Sequence, residues 1–194
     1  LSIRRPNRLP KRPPSGSTYE IEKLHHGTPS GIDNTVVTYA RPVYFAKGQP
    51  IETFQVGAPF TIVIGDTGVS SPTKVAVGAV RRAWKADPEH FEKLFEAVGK
   101  IVRRARRAIE DGDVTALGPL MDKNHALLQQ MSVSSLELDR LVEAARSAGA
   151  EGAKLSGSGR GGNMIALVPP ERTENVAQAL YKVKAKRVLT TLVS

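Results

Sequence analysis

Cysteine is absent from this chain, which excludes both a disulfide framework and a thiolate zinc site. Long apolar runs are absent as well. No stretch of about 18 apolar residues offers a membrane span, and no charged start followed by an apolar core reads as a signal peptide, so a cytoplasmic address is expected. Aromatic residues make up only 5% of the chain, leaving few platforms on which single-stranded nucleic acid could stack. Acidic residues are missing from positions 1–18, where Arg4, Arg5, Arg8, Lys11 and Arg12 supply five of the nine net positive charges. The basicity is therefore largely terminal, and nucleic acid is not expected as a partner. That segment also holds Pro6, Pro10, Pro13 and Pro14 and shows no apolar period, so it is expected to be disordered or foreign to the fold.

What remains is ordinary globular material, 40% hydrophobic over 194 residues, enough for a sizeable core. Tyr19 to His25 is compatible with a helix. Thr35 to Tyr39, Val43 to Phe45 and Thr61 to Ile64 are β-branched or aromatic and read as extended. Ser71 as N-cap with Pro72 at the first helical position predicts a helix to about Trp84, and Asp87 with Pro88 predicts a second. In that second helix Phe91, Leu94, Phe95, Val98, Ile101, Val102, Ala105 and Ile109 recur at three- and four-residue steps, an amphipathic stripe. Two more helices are expected from about Asp113 to Met131 and from Ser135 to Ala148, the latter stopped by Gly149. Strands over Ala153 to Ser156 and Met164 to Val168 bracket Gly157-Ser158-Gly159-Arg160-Gly161-Gly162, and a helix over Thr173 to Tyr181 and a strand over Arg187 to Leu192 follow. Strands and helices in separate runs predict an α+β fold.

Chemistry concentrates in two places. His26-Gly27-Thr28-Pro29-Ser30-Gly31-Ile32-Asp33-Asn34, with Glu22 upstream, combines glycines that let backbone amides approach an anion with two carboxylates suited to a hydroxyl and a metal. Taken singly, Asp33 fits a turn aspartate and Glu22 a solvated helix face. The loop 157–162 has four glycines in six positions, enough for a nest of amides around a phosphate or for a plain hairpin turn; it lacks the Lys-Ser/Thr ending of the G-x-x-x-x-G-K-[ST] loop. His25 and His26 are adjacent and share no helix face, so substrate hydrogen bonding or packing suits them better than a metal. His90 and His125 fall on predicted helices and fit surface or satisfied core positions. Arg103, Arg104, Arg106 and Arg107 lie opposite the apolar stripe, as a solvated face would.

The segment Tyr19 to Asn34 resembles the central motif of mevalonate kinases in the GHMP kinase superfamily, and Gly152 to Gly162 resembles that superfamily's C-terminal motif. The resemblance continues through Asp66 to Lys74 and Leu120 to His125, covering about Tyr19 to the C-terminus. It implies ATP-dependent phosphorylation of the mevalonate primary hydroxyl to 5-phosphomevalonate in isoprenoid synthesis, with related kinases such as phosphomevalonate kinase as the alternative within the superfamily. A non-catalytic basic binding module is the alternative outside it. By position, Asp33 matches the catalytic aspartate and Glu22 the carboxylate that holds Mg²⁺ on the ATP phosphates. His25, Ser30, Thr73 and Ser158 match positions at the substrate, and Gly157, Gly159 and Gly161 would pack against the nucleotide. Arg160 and Asn163 depart from the motif, which usually has glycine and cysteine there. The implied architecture is a remnant of a ribosomal-protein-S5-like domain over 19–66, then a ferredoxin-like C-terminal domain over 67–194; a homodimer is compatible with it. The superfamily's P-x-x-x-G-L-G-S-S-A phosphate segment and its N-terminal lysine are not found in these residues, so an incomplete enzyme is expected.

Overall fold

The computed structural model describes residues 42–46 and 48–194. The chain divides into two units, Leu1–Gln55 and Val56–Ser194. In the first, β1 (Val43–Tyr44) and β2 (Glu52–Thr53) pair antiparallel, Val43 opposite Thr53, and the Phe54 amide closes the ladder on the Pro42 carbonyl at 3.2 Å. Tyr19 to His25 and Thr35 to Tyr39 lie outside the described residues.

The second unit is built on a four-stranded antiparallel sheet. β3 (Phe60–Asp66) is followed by four helices, α1 (Thr73–Ala86), α2 (Pro88–Asp111), α3 (Val114–Gln130) and α4 (Leu136–Ser147). Then come β4 (Gly152–Ser156), β5 (Asn163–Leu167), a short 3-10 turn, α5 (Thr173–Lys182) and β6 (Arg187–Val193), in the sheet order β4-β5-β3-β6. The expected boundary at Asp66 is thereby corrected. Phe60–Asp66 pairs with both β5 and β6 and is a central strand of the second unit, which begins at Val56. Its partners lie about a hundred residues or more downstream, so nothing local in the sequence separates it from the strands before it.

Local chemistry accounts for most helix ends. The Asp87 carboxylate accepts from the His90 amide with Pro88 at the first position of α2, and Asp113 accepts from the Ala116 amide at the start of α3. Ser135 accepts from the Leu138 amide at the start of α4. Such caps contribute about 1 kcal/mol each. At α1 the expectation shifts by one residue: Pro72 is itself the N-cap and no side chain caps the helix, because Ser71 lies outside the first turn.

Strand alternation sends Val63, Ala153, Leu155, Met164 and Ala166 to one sheet face. There they pack with Phe91 and Leu94 of α2, with Leu138, Leu141, Val142 and Ala145 of α4, and with Val176 and Leu180 of α5. Leu138, Leu155, Met164 and Leu180 are fully buried, each worth about 1.5–3 kcal/mol. On the opposite face Phe60, Ile62 and Leu167 pack against Ala105, Ala108 and Ile109 of α2 and Leu117 of α3. No helix among the described residues is long and apolar enough to cross a membrane.

Candidate functional site

β4 is an edge strand, and its exposed backbone groups would be a liability without partners. Side chains supply them. α3 crosses the start of β4 at backbone distance: a Cβ on Gly118 would lie 2.2 Å from the Glu151 carbonyl oxygen, and one on Gly152 would lie 2.2 Å from that of Gly118. That approach sets Asp122 and His125 of α3 against the strand. The Ala153 amide donates to Asp122 Oδ1 at 2.9 Å, and Arg146 of α4 bridges the same carboxylate (Nε, 2.8 Å; Nη2, 2.7 Å) and the Ala153 carbonyl (2.9 Å). The Leu155 amide donates to His125 Nδ1 at 3.2 Å. Nδ1 is therefore an acceptor, and Nε2 carries the proton toward Asp139 Oδ1 at 3.1 Å, where the Ser134 hydroxyl also donates at 2.5 Å. Burial pushes the His125 pKa down, with the Asp139 carboxylate only partly opposing it. Lys154 Nζ donates to the Leu155 carbonyl at 2.6 Å, and burial lowers its pKa to about 8. His125 is thus a satisfied core histidine, one of the two alternatives its sequence position left open.

This braced strand delivers the chain into the loop 157–162. Backbone φ is positive at Gly157, Gly159, Arg160, Gly161 and Gly162, the region where side chains are strained. Two glycines are required by proximity as well: a Cβ on Gly159 would lie 1.8 Å from the Val133 carbonyl oxygen, and one on Gly161 2.5 Å from that of Val69. Two segments hold the loop through three residues. The Arg160 amide donates to the Val133 carbonyl at 2.8 Å and the Gly162 amide to the Val69 carbonyl at 2.8 Å. Thr67 returns both its amide and its hydroxyl to the Gly162 carbonyl, each at 2.9 Å. The Asp66 carboxylate shapes that last segment by accepting from the Gly68 amide at 2.8 Å. The amides of Gly157, Ser158, Gly159 and Gly161 take no partner among the described residues.

Ser158 opens from the loop onto a cleft of about 300 Å³ shared with Ala76, Val80, Arg81 and Trp84 of α1, Phe95 of α2 and Val133. Phe95, expected in the apolar stripe, is 38% exposed because it lines this cleft. Thr73, the first residue of α1, lies one turn before Ala76 and Val77, on the face that borders the cleft. The structure therefore brings Ser158 and α1 together beside the glycines. Arg160 folds back, its Nε donating to the Ser132 carbonyl at 3.2 Å. Glu22, His25, Ser30 and Asp33 lie outside the described residues. Among the described residues no group of three or more His, Asp or Glu is placed to hold a metal. The anchors Thr67, Val69 and Val133 and the cleft residues Arg81 and Trp84 carry no signal of their own in the sequence, because two of the anchors act through carbonyls that any residue has.

Comparison with known proteins gives this geometry a context. Residues 105–186 match the family described as GHMP kinases C terminal. A mevalonate kinase from Pyrococcus horikoshii is 41% identical over 169 residues, covering 84% of this chain and 49% of the relative, and one from Aeropyrum pernix is 38% identical over 164 residues, covering 84% and 51%. Among solved structures, L. major mevalonate kinase in complex with R-mevalonate superposes with a TM-score of 0.82 at 35% identity, over 89% of this chain and 55% of that one. The chain spans about half the length of the curated relatives it matches.

Proposed function

Because this chain belongs to the GHMP kinases, and its relatives there are mevalonate kinases, we propose that it provides part of a site that transfers a phosphoryl group from ATP to the primary hydroxyl of mevalonate. The observation that carries the reading is the loop 157–162, with four amides that take no partner among the described residues on a backbone fixed at three points. Such amides suit phosphate oxygens, which ask for donors already aimed where negative charge develops. The loop has room for them: nothing lies within 4 Å of where a Cβ on Gly157 or Gly162 would stand.

In this proposal Asp33 receives the hydroxyl proton as the hydroxyl oxygen bonds to the γ-phosphorus, and the bond from that phosphorus to the bridging oxygen breaks to release ADP. Gly157, Gly159 and Gly161 hold phosphate oxygens. His25, Ser30, Thr73 and Ser158 line the mevalonate. Mg²⁺, when bound, would neutralise phosphate charge; Glu22, which matches the family's metal-holding carboxylate by position, is its proposed ligand.

The test joins this chain to the unmatched N-terminal portion of the P. horikoshii relative and follows mevalonate-dependent ADP release. Turnover that falls at least about 100-fold in Asp33→Asn supports the reading. Turnover unchanged by Asp33→Asn, or a preference for phosphomevalonate over mevalonate, overturns it.

A further inference from the structure

Helix α2 treats its cations in two ways. Lys93, Lys100 and Arg106 each reach a carboxylate one turn away, Glu89, Glu96 and Glu110, at 2.6, 2.8 and 3.1 Å. Arg104 and Arg107 reach none among the described residues, and neither does Lys123 of α3. For two of the three the sequence explains this. The positions four before and four after Arg104 are Lys100 and Ala108, and those around Lys123 are Pro119 and Leu127. Asp122, next to Lys123, is already held by Arg146.

These three cations converge. α2 and α3 form a helical hairpin turned at Gly112, whose φ is +73°, and between the helices runs a groove of about 480 Å³ lined by Arg104, Arg107 and Lys123 over a floor that includes Ala108 and Leu120. The groove is graded in charge. Asp111 and Asp113 stand at the turn, about 10 Å along α2 from Arg104. The Asp113 carboxylate is engaged by the Ala116 amide and, at 2.7 Å, by the Thr115 hydroxyl. Asp111 lies one turn from Arg107, yet no ion pair joins them, so among the described residues the three cations have no bonded carboxylate. Arg104 and Arg107 are exposed, as a solvated face requires, and they also line a concave surface with a lysine from the neighbouring helix.

We propose that this groove binds a small phosphorylated metabolite, its phosphate oxygens on Arg104, Arg107 and Lys123 and a hydroxyl- or amine-bearing body directed toward Asp111. Paired guanidiniums with an ammonium opposite match the charge and fork geometry of a diphosphate. The volume lies within the range of small-molecule sites. Ala108 and Leu120 give the groove an apolar floor beneath the charges. The site is separate from the loop 157–162 and does not depend on the reading of that loop.

The probe is inorganic pyrophosphate, and the readout is acylation of Lys123 by an amine-reactive reagent, followed by peptide mass spectrometry on the whole chain at low salt. Pyrophosphate is expected to slow labelling of Lys123 while leaving Lys93, which lies outside the groove, unchanged. The double variant Arg104→Gln/Arg107→Gln is expected to need at least about tenfold more pyrophosphate for the same protection, with an unaltered melting temperature because both side chains are exposed. Added salt should weaken protection in the parent chain. Absent protection at millimolar pyrophosphate, or protection that survives the double variant, overturns the proposal. Protection by an Asp/Glu-rich peptide but not by pyrophosphate also overturns it, assigning the groove to an acidic protein partner. Because Lys123 reports on the groove alone, pyrophosphate held at the glycine loop does not imitate the expected result.

Discussion

Replacing His125 with alanine tests whether the edge of the sheet is held by side chains. The imidazole is 2% exposed and accepts from the Leu155 amide. Truncation leaves that N–H buried and unpaired, a loss of about 1–3 kcal/mol. The space vacated beyond Cβ adds about 2 kcal/mol where neighbours collapse only in part. Asp139 loses little, since it is 35% exposed and keeps the Ser134 hydroxyl. The expected total is about 3–5 kcal/mol, against about 5–15 kcal/mol for a whole domain. Urea unfolding followed by circular dichroism at pH 7.5 measures it. His125→Gln, whose amide oxygen can accept from Leu155, should recover a good part of the loss. The pH dependence supplies an independent check. The ring has a lowered pKa in the folded protein, so as pH falls below its unfolded value of about 6.5 the unfolded chain takes up a proton that the folded chain refuses. This stability is present above that pH and lost as pH falls toward the folded value; the loss should be shallower in His125→Gln. An alanine variant less than about 1 kcal/mol weaker, or a glutamine variant as weak as alanine, would refute the assignment of His125 as an acceptor.

Lys154 gives a titration of the same sign at alkaline pH. Its folded pKa of about 8 lies below the unfolded 10.5, so the folded chain gives up its proton first and stability should rise between those values, by up to about 3 kcal/mol. Lys154→Gln should flatten that rise, and an unchanged slope in alkaline urea titrations would count against burial as the cause. Gly159→Ala should displace the loop outright, because its Cβ meets the Val133 carbonyl at 1.8 Å in a backbone at φ +78°. A lower melting point and faster exchange of the Arg160 amide are expected, whereas Gly157→Ala, with open space around it, should cost only the roughly 1–2 kcal/mol of left-handed strain.

Much of the α+β order was legible, because it rests on short-range rules. Asp87, Asp113 and Ser135 cap the helices that their positions announced, and Gly149 ends α4. The loop 157–162 was visible through its glycines. What the sequence hid is carried by contacts between distant segments. Phe60–Asp66 could not be placed in the second unit before its pairing with β5 and β6 was known. His125 looked like any helical histidine, because the amide it serves lies thirty residues away. Arg104 and Arg107 were read from α2 alone, and only the neighbouring helix shows that they line a groove. Of the nine candidate site residues, Thr73, Ser158 and the three glycines fall among the described residues; the glycines form the loop, Ser158 lines the cleft beside it, and Thr73 opens the helix whose next turn lines that cleft.

A glycine-rich loop is commonly taken for a hinge, and this one is the reverse. Gly157 and Gly162 serve its left-handed backbone, while Gly159 and Gly161 also remove the side chains that would keep that backbone away from the carbonyls of Val133 and Val69. Tied to the segment after β3, to the turn after α3 and to the ends of β4 and β5, the loop already has the shape it would need around an anion. A ligand arriving there has no loop to order, so its interactions are not diminished by the entropy of immobilising a flexible segment.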